Sequence, residues 1–354
     1  MSDDEDPDFE GLIFVTVPQP ADDDGTTEWL IRGGRTKSNI FHTPGYPAPV
    51  PKARLPNMVI VKETAEMGMG LFATCDIKRG ELVFAERPLL VSPCFIPEQD
   101  FPHLTDEADE RERQLFRAEF ESYLKLAFQG MSFEKQEAFM SLSNCKSKDS
   151  FGPLLGIFSS NGYQIDLDDD SESLDKYGAI GELAARINHS CRPNVRQEFD
   201  RASFSLRFYT KKDIKAGDEL FYCYCNIRGT AAERQAFLNP SYGFVCVCPS
   251  CVNATLASDE LHSGFASEAS RLGDLFPENK REKEAVDRTV LESMIELEKR
   301  MIEEGLEGEF SFDQLLLIIG MGYKSLGMLA EGESYTKRCP KTRFDGPEAS
   351  EDDA

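Results

Sequence analysis

Three thiols stand within six residues in Cys246-Val247-Cys248-Pro249-Ser250-Cys251. That spacing lets three sulfurs converge on one tetrahedral zinc ion, whose fourth ligand must come from elsewhere. Cys191, Cys223 and Cys225 are candidates, with His189 after them. A second segment, Arg186-Ile187-Asn188-His189-Ser190-Cys191-Arg192-Pro193-Asn194, sets an amide, an imidazole and a thiol side by side in a chain with 4 histidines. A third, Ala216-Gly217-Asp218-Glu219-Leu220-Phe221-Tyr222-Cys223-Tyr224, reads as a turn followed by an aromatic strand. Alternation along that strand would put Tyr222 and Tyr224 on one face and Cys223 and Cys225 on the other. A fourth, Glu66-Met67-Gly68-Met69-Gly70-Leu71-Phe72, is a glycine-spaced loop entering a strand. Glycine suits a backbone that must approach a ligand closely.

These segments need a scaffold, and the patterning supplies one. Met58–Val61 and Leu71–Thr74 read as short strands, and Glu81–Glu86 alternates at period two until Pro88. Leu115, Phe116, Phe120, Tyr123, Leu124 and Ala127 recur at helical spacing within residues 107–140, with a further helix over Phe133–Leu142. Residues 157–170 run from apolar to polar through Ser159-Ser160-Asn161-Gly162-Tyr163-Gln164-Ile165 into an acidic loop. Strands resume at Val195–Phe199, Ser203–Thr210 and Leu220–Tyr224. Thr230 and Glu233 fit a capping box. Beyond Ser258 the pattern is helical: Val286, Val290, Met294, Leu297 and Met301 form one apolar stripe, and Phe312–Leu329 a second helix. Residues 1–57, acidic and then rich in Gly and Pro, read as a flexible arm, tacked to the body by Trp29-Leu30-Ile31. The sum is an α+β chain.

The 354 residues carry a formal charge of −24. Residues 1–28 hold ten acidic side chains and no basic one, and residues 345–354 hold five and none, leaving −9 over residues 29–344. A basic protein partner suits that balance, and direct nucleic-acid binding does not. The start Met-Ser-Asp-Asp-Glu-Asp is unlike a signal peptide, and no run reaches the length of a membrane span. An intracellular protein, cytoplasmic or nuclear, is expected, with its 10 cysteines as thiols or metal ligands.

Taken in order, the four segments resemble the SET-domain family of protein lysine methyltransferases, across about residues 58–252. Gly68-Met69-Gly70-Leu71-Phe72 is similar to that family's cofactor loop, Asn188-His189-Ser190-Cys191 with Pro193-Asn194 to its diagnostic motif, and Gly217-Asp218-Glu219-Leu220 with Tyr224 to its tyrosine segment. Cys246, Cys248 and Cys251 resemble the post-SET zinc motif, here within residues 242–252. An insert over about residues 92–175, helices over 253–340 and an acidic tail over 341–354 resemble the SMYD-like branch. Between Cys75 and Cys191 only Cys94 and Cys145 occur, too few for that branch's MYND finger, and no pre-SET cluster is present. Met67 stands where the branch usually has a basic residue, and Asp218 where Glu is commoner.

The resemblance implies small curled sheets with a pseudoknot, and an S-adenosylmethionine-dependent transfer of methyl to a lysine amine of a histone or other protein. It implies cofactor contacts from Gly68, Met69, Gly70, Asn161, Asn188, His189 and Phe244. Tyr224 would be the catalytic tyrosine, with Tyr222 the fallback and Tyr222 and Tyr242 walling the lysine channel. It selects Cys191, Cys246, Cys248 and Cys251 for a structural zinc. The alternatives are a catalytically weak SET scaffold that binds a protein partner, and a plain zinc-binding adaptor.

Overall fold

The computed structural model describes residues 9, 11–94, 110–167, 176–274 and 288–339. The acidic loop at 168–170, Val286 and the tail from 341 lie outside the described residues.

Strand β1 (Leu12–Val17) pairs antiparallel with β2 (Thr27–Arg32), and a short helix α1 (Gly34–Phe41) follows. A hairpin of β3 (Val59–Glu63) and β4 (Met69–Ala73) turns through Gly68 at φ +73°, a left-handed conformation that favours glycine. Then come β5 (Leu82–Glu86), β6 (Leu90–Pro93), α2 (Glu110–Gly130), α3 (Phe133–Met140), α4 (Pro153–Asn161) and β7 (Tyr163–Ile165). Strand β8 (Tyr177–Ile180) and a 3-10 turn (Ala184–Arg186) lead to β9 (Asn188–His189), β10 (Val195–Asp200), β11 (Ser205–Thr210) and β12 (Phe221–Tyr222). The rest is helical: α5 (Ala231–Tyr242), α6 (Pro249–Val252), α7 (Leu256–Asp274), α8 (Arg288–Glu303), α9 (Phe310–Ser325) and α10 (Leu329–Arg338).

The strands form small sheets, as expected of an α+β chain. The largest runs β1-β2-β6-β8-β7, and the others are β10-β11-β5, β3-β4 and the parallel pair β12-β9. Trp29 and Ile31 of β2 face one core, with Leu71, Val83 and Phe208, while Leu30 faces a second, under Phe120 and Leu124 of α2 and Leu155 and Phe158 of α4. A strand buried on both faces has no polar alternation, so Trp29-Leu30-Ile31 reads as a bare apolar run.

The flexible arm expected over residues 1–57 is therefore corrected where the chain is described. Strand β2 is the second strand of the largest sheet and pairs parallel with β6. Its acidic neighbours are used locally: Asp22 pairs with Arg87, Asp24 with Lys52, and Glu28 accepts a hydrogen bond from Thr16 at 3.0 Å. Charge that suggested a solvated arm is here spent on pinning it. Trp29 is 1% exposed and its ring lies 4.9 Å from that of Phe204. Trp29→Ala is accordingly expected to cost about 3–5 kcal/mol of stability, read as a lower urea midpoint. An unchanged midpoint would restore the flexible arm.

The helices beyond residue 253 close a separate apolar cluster, with Met294, Leu297 and Met301 of α8 against Phe312, Leu315 and Ile319 of α9. The second expected helix, Phe312–Leu329, is α9, which ends at Ser325 before α10. Polar bonds join this cluster to the sheets. Arg79 pairs with Asp313 and donates to the carbonyls of Glu307 at 3.0 Å and Arg338 at 2.9 Å, and Lys211 pairs with Glu309 at 2.9 Å. Among the described residues no helix is long and apolar enough to cross a membrane.

Candidate active site and zinc site

The four segments singled out in the sequence meet at one place. Leu220 N–H donates to the Leu71 carbonyl at 2.7 Å, which lays the tyrosine segment along β4. On its other side the same segment pairs with the Asn-His segment: Ser190 N–H donates to Tyr222 O at 3.0 Å and Asn194 N–H to Phe221 O at 3.1 Å. The Asn194 side chain locks this crossing, donating to Glu219 O at 2.7 Å and accepting from Phe221 N–H at 2.7 Å. That interlock is the pseudoknot the resemblance implied. The tyrosine strand is shorter than expected, ending at Tyr222, so alternation does not continue and Tyr222, Cys223 and Tyr224 all border one cavity.

Asn188 bridges to the glycine loop, its amide donating to Met69 O at 3.3 Å and to Glu219 Oε1 at 2.8 Å. A Cβ on Gly70 would come within 2.4 Å of Glu219 Oε1 and 3.1 Å of Asn188 Nδ2. A side chain there would crowd Glu219 and Asn188 themselves. Burial raises the Glu219 carboxyl above its ordinary range, against the Asn188 bond that lowers it.

The cavity of about 370 Å³ is lined by Asn161, Tyr163, Tyr222, Tyr224, Tyr242 and Lys176 among others. Tyr224 O–H donates to Ile187 O at 2.5 Å and Tyr163 O–H to Ala184 O at 2.9 Å. With the proton directed at a carbonyl, each phenol oxygen keeps lone pairs for an incoming donor. Burial pushes Tyr222 up to about 12 and Tyr163 and Tyr224 well above the usual tyrosine value. These hydroxyls therefore stay neutral at any working pH. Asn161 lies at the cavity wall with its amide donating to Ser143 O and Ile157 O, each at 2.7 Å.

His189 is not among the residues that line this cavity. Its Nδ1 accepts the Tyr224 backbone N–H at 3.0 Å, so its proton sits on Nε2, which lies 3.4 Å from Cys191 Sγ. Burial lowers its pKa and keeps the ring neutral. The ring also lies 5.7 Å from Phe244, whose neighbour Tyr242 packs 5.0 Å from Tyr224.

Cys191, Cys246, Cys248 and Cys251 bring their sulfurs within 4.8 Å of one another, and Cys191 and Cys251 are 3.5 Å apart. Zinc–sulfur bonds of about 2.3 Å in a tetrahedron require sulfurs about 3.8 Å apart, so the four thiols fit the ion. Arg234, 1% exposed, donates to Ser250 O at 3.1 Å and lies 3.8 Å from Cys251 Sγ, offsetting the charge of four thiolates. Cys225 approaches Cys191 and His189 but stands outside the four-thiol set, and Cys223 lies 3.8 Å from Cys225.

Glu219, Tyr163 and Arg234 belong to the site and drew no role from the sequence. Glu219 and Tyr163 stood in segments already singled out, while nothing in the sequence marks Arg234, a basic residue in an ordinary helix.

Residues 68–225 match the family model of the SET domain. Among curated relatives, the histone-lysine N-methyltransferase set5 of Schizosaccharomyces pombe is 30% identical over 184 residues, 52% of this chain and 47% of its own length. The protein-lysine N-trimethyltransferase SMYD5 of Homo sapiens is 37% identical over 73 residues, 20% of this chain and 18% of its own. A third, SET domain and MYND-type zinc finger protein 6 of Schizosaccharomyces pombe, is 39% identical over 84 residues, 23% of this chain and 17% of its own. The matches thus span about half of the first relative's length and under a fifth of the other two. Strands β1 and β2 precede the matched segment, yet they share one sheet with its strands β6, β8 and β7.

Proposed function

We propose that the chain is an S-adenosylmethionine-dependent protein-lysine N-methyltransferase with Tyr224 as its catalytic tyrosine. The carrying observation is the buried Tyr224 hydroxyl, its proton held by Ile187 O, at the wall of a tyrosine-lined cavity and within the segment that matches the SET domain. S-adenosylmethionine, when bound, supplies an electrophilic methyl on a positively charged sulfur. Gly68, Met69, Gly70, Asn188 and Glu219 would hold its amino-acid end, and Phe244 beside His189 its adenine. Asn161 would contribute from the cavity wall.

The chain's own part is alignment and exclusion of water. A lysine amine with an ordinary pKa near 10.4 must be neutral to attack, and a poorly solvated channel favours that form. The Tyr224 oxygen accepts an N–H of that amine and fixes its lone pair, while Tyr222 and Tyr242 narrow the path of the lysine stem. The four-cysteine zinc is structural, since its shell leaves no position for water. A basic protein substrate, histone or other, suits the net charge of −24, in a nuclear or cytoplasmic setting and without direct nucleic-acid contact.

Methyl transfer from tritiated S-adenosylmethionine to histones and to whole lysate tests the reading, with Tyr224→Phe as control. Calorimetry with the cofactor separates it from a scaffold that only binds a protein partner: no binding by the wild type favours the scaffold.

A further inference from the structure

Glu86 closes β5 and takes no part in the chemistry proposed above. The residue as a whole is partly exposed, but its carboxylate is packed among backbone amides. Glu86 Oε1 accepts the Ala184 N–H at 2.7 Å, and Oε2 accepts the Glu182 and Leu183 N–H groups at 3.1 Å each. A Cβ on residue 181 would come within 2.2 Å of Oε1, so Gly181 leaves the carboxylate its place. Burial pushes this carboxyl up to about 7 and Glu182 adds to the rise, while the amide bonds work the other way.

The turn that Glu86 gathers supplies the acceptor of the Tyr163 hydroxyl and is hydrogen-bonded to Ile187, whose carbonyl accepts that of Tyr224. Ala184 O takes the Tyr163 hydroxyl at 2.9 Å and the Ile187 N–H at 3.0 Å. Ile187 O, next along, takes the Tyr224 hydroxyl at 2.5 Å. The path from Glu86 to the cavity therefore alternates hydrogen bonds with backbone: Glu86 holds the Ala184 N–H, Ala184 O holds the Ile187 N–H, and Ala184 O and Ile187 O hold the two tyrosine hydroxyls. A carboxylate accepts on both oxygens, and no other side chain of this reach can accept three amides at once.

We propose that Glu86 is a positioning residue for methyl transfer, fixing the 182–184 turn so that Ala184 O and Ile187 O aim the Tyr163 and Tyr224 hydroxyls into the lysine cavity. This rests on the reading of Tyr224 given above. Misplacing a reacting geometry by a fraction of an ångström is enough to slow catalysis without weakening binding.

The full chain is compared with Glu86→Gln and Glu86→Asp. The glutamine keeps the shape but turns a donor toward amides that need an acceptor; the aspartate keeps the charge with a shorter reach. Glu86→Gln is expected to lower kcat about tenfold or more, with cofactor Kd within about twofold and zinc content unchanged. Glu86→Asp should recover part of the loss, and amide hydrogen exchange at residues 182–184 should quicken in the glutamine variant. Wild-type kcat in Glu86→Gln overturns the proposal, as does a kcat loss matched by equal losses of cofactor binding and zinc, the mark of a merely structural role. If the wild type transfers no methyl, the functional reading falls, and amide exchange decides Glu86 alone: unchanged protection at 182–184 in both variants overturns the positioning claim.

Discussion

Tyr224→Phe is expected to lower kcat for methyl transfer by about 10²–10³-fold, the usual loss when one preorganised hydrogen-bonding group is removed from a reacting centre. The fold should not notice. The hydroxyl's internal partner is the carbonyl of Ile187, and that oxygen has room for a water in a cavity of about 370 Å³. The ring contacts to His189 and Tyr242, at 5.2 and 5.0 Å, are kept by phenylalanine. Zinc content, melting temperature and cofactor affinity should therefore stay near wild type while turnover collapses. The pH profile adds a check. Burial raises Tyr224 well above the usual tyrosine value, so its deprotonation should leave no limb below pH 10, and the profile should follow the substrate amine. The parallel variant Tyr222→Phe should be milder, because Tyr222 lines the channel without the Ile187 contact. Loss confined to Tyr222→Phe, with Tyr224→Phe fully active, would reassign the catalytic tyrosine.

Cys246→Ser, or stripping the metal with a chelator, is the second large effect. Structural zinc contributes on the order of 10 kcal/mol of apparent binding free energy in small four-ligand sites, and that energy orders the chain around it. Here the ordered chain is the segment around residues 242–252. Cys191, fully buried, sits two residues beyond His189, and Gln235 brackets the Cys246 backbone, accepting its N–H at 2.9 Å and donating to its carbonyl at 2.7 Å. Freeing Cys246 therefore frees Phe244, which packs on His189, and Tyr242, which packs on Tyr224. One bound zinc per chain should be lost, cofactor Kd should weaken at least tenfold, and proteolysis should open first near residue 245. Arg234 worsens the outcome, because its buried guanidinium loses the thiolate charge it faces. Zinc content of one in Cys246→Ser, with unchanged cofactor affinity, would remove the post-SET assignment. Cys225→Ser is the contrasting variant: it lies close to Cys191 yet outside the four-thiol set, and zinc should survive it.

The chemistry was legible in the sequence because it is carried by short, rigid spacings. Three cysteines in six residues can reach one ion wherever the chain runs, and an Asn-His-Ser-Cys segment fixes its own local geometry. Helices α2, α5 and α8 were legible for the same reason: an apolar stripe and a Thr–Glu cap are local facts, and the capping box at Thr230 and Glu233 is formed as read. What local pattern could not carry was the partnership of distant segments. Residues 11–57 looked like an arm because their acids and glycines are polar in isolation; only the pairing of β2 with β6 and the bond of Asp22 to Arg87 turn them into a sheet. The choice of Cys191 as the fourth thiol came from family resemblance, and the four-thiol arrangement becomes visible only when sulfurs some 55 residues apart in sequence lie within 4.8 Å. Glu86 and Arg234 have no local signature at all, since a carboxylate at a strand end and a guanidinium in a helix acquire meaning from the backbone amides and sulfurs brought to them. The sequence by itself determined which groups could do chemistry. The tertiary structure decided which of them are buried together, because burial strips away the water that would otherwise satisfy each one separately.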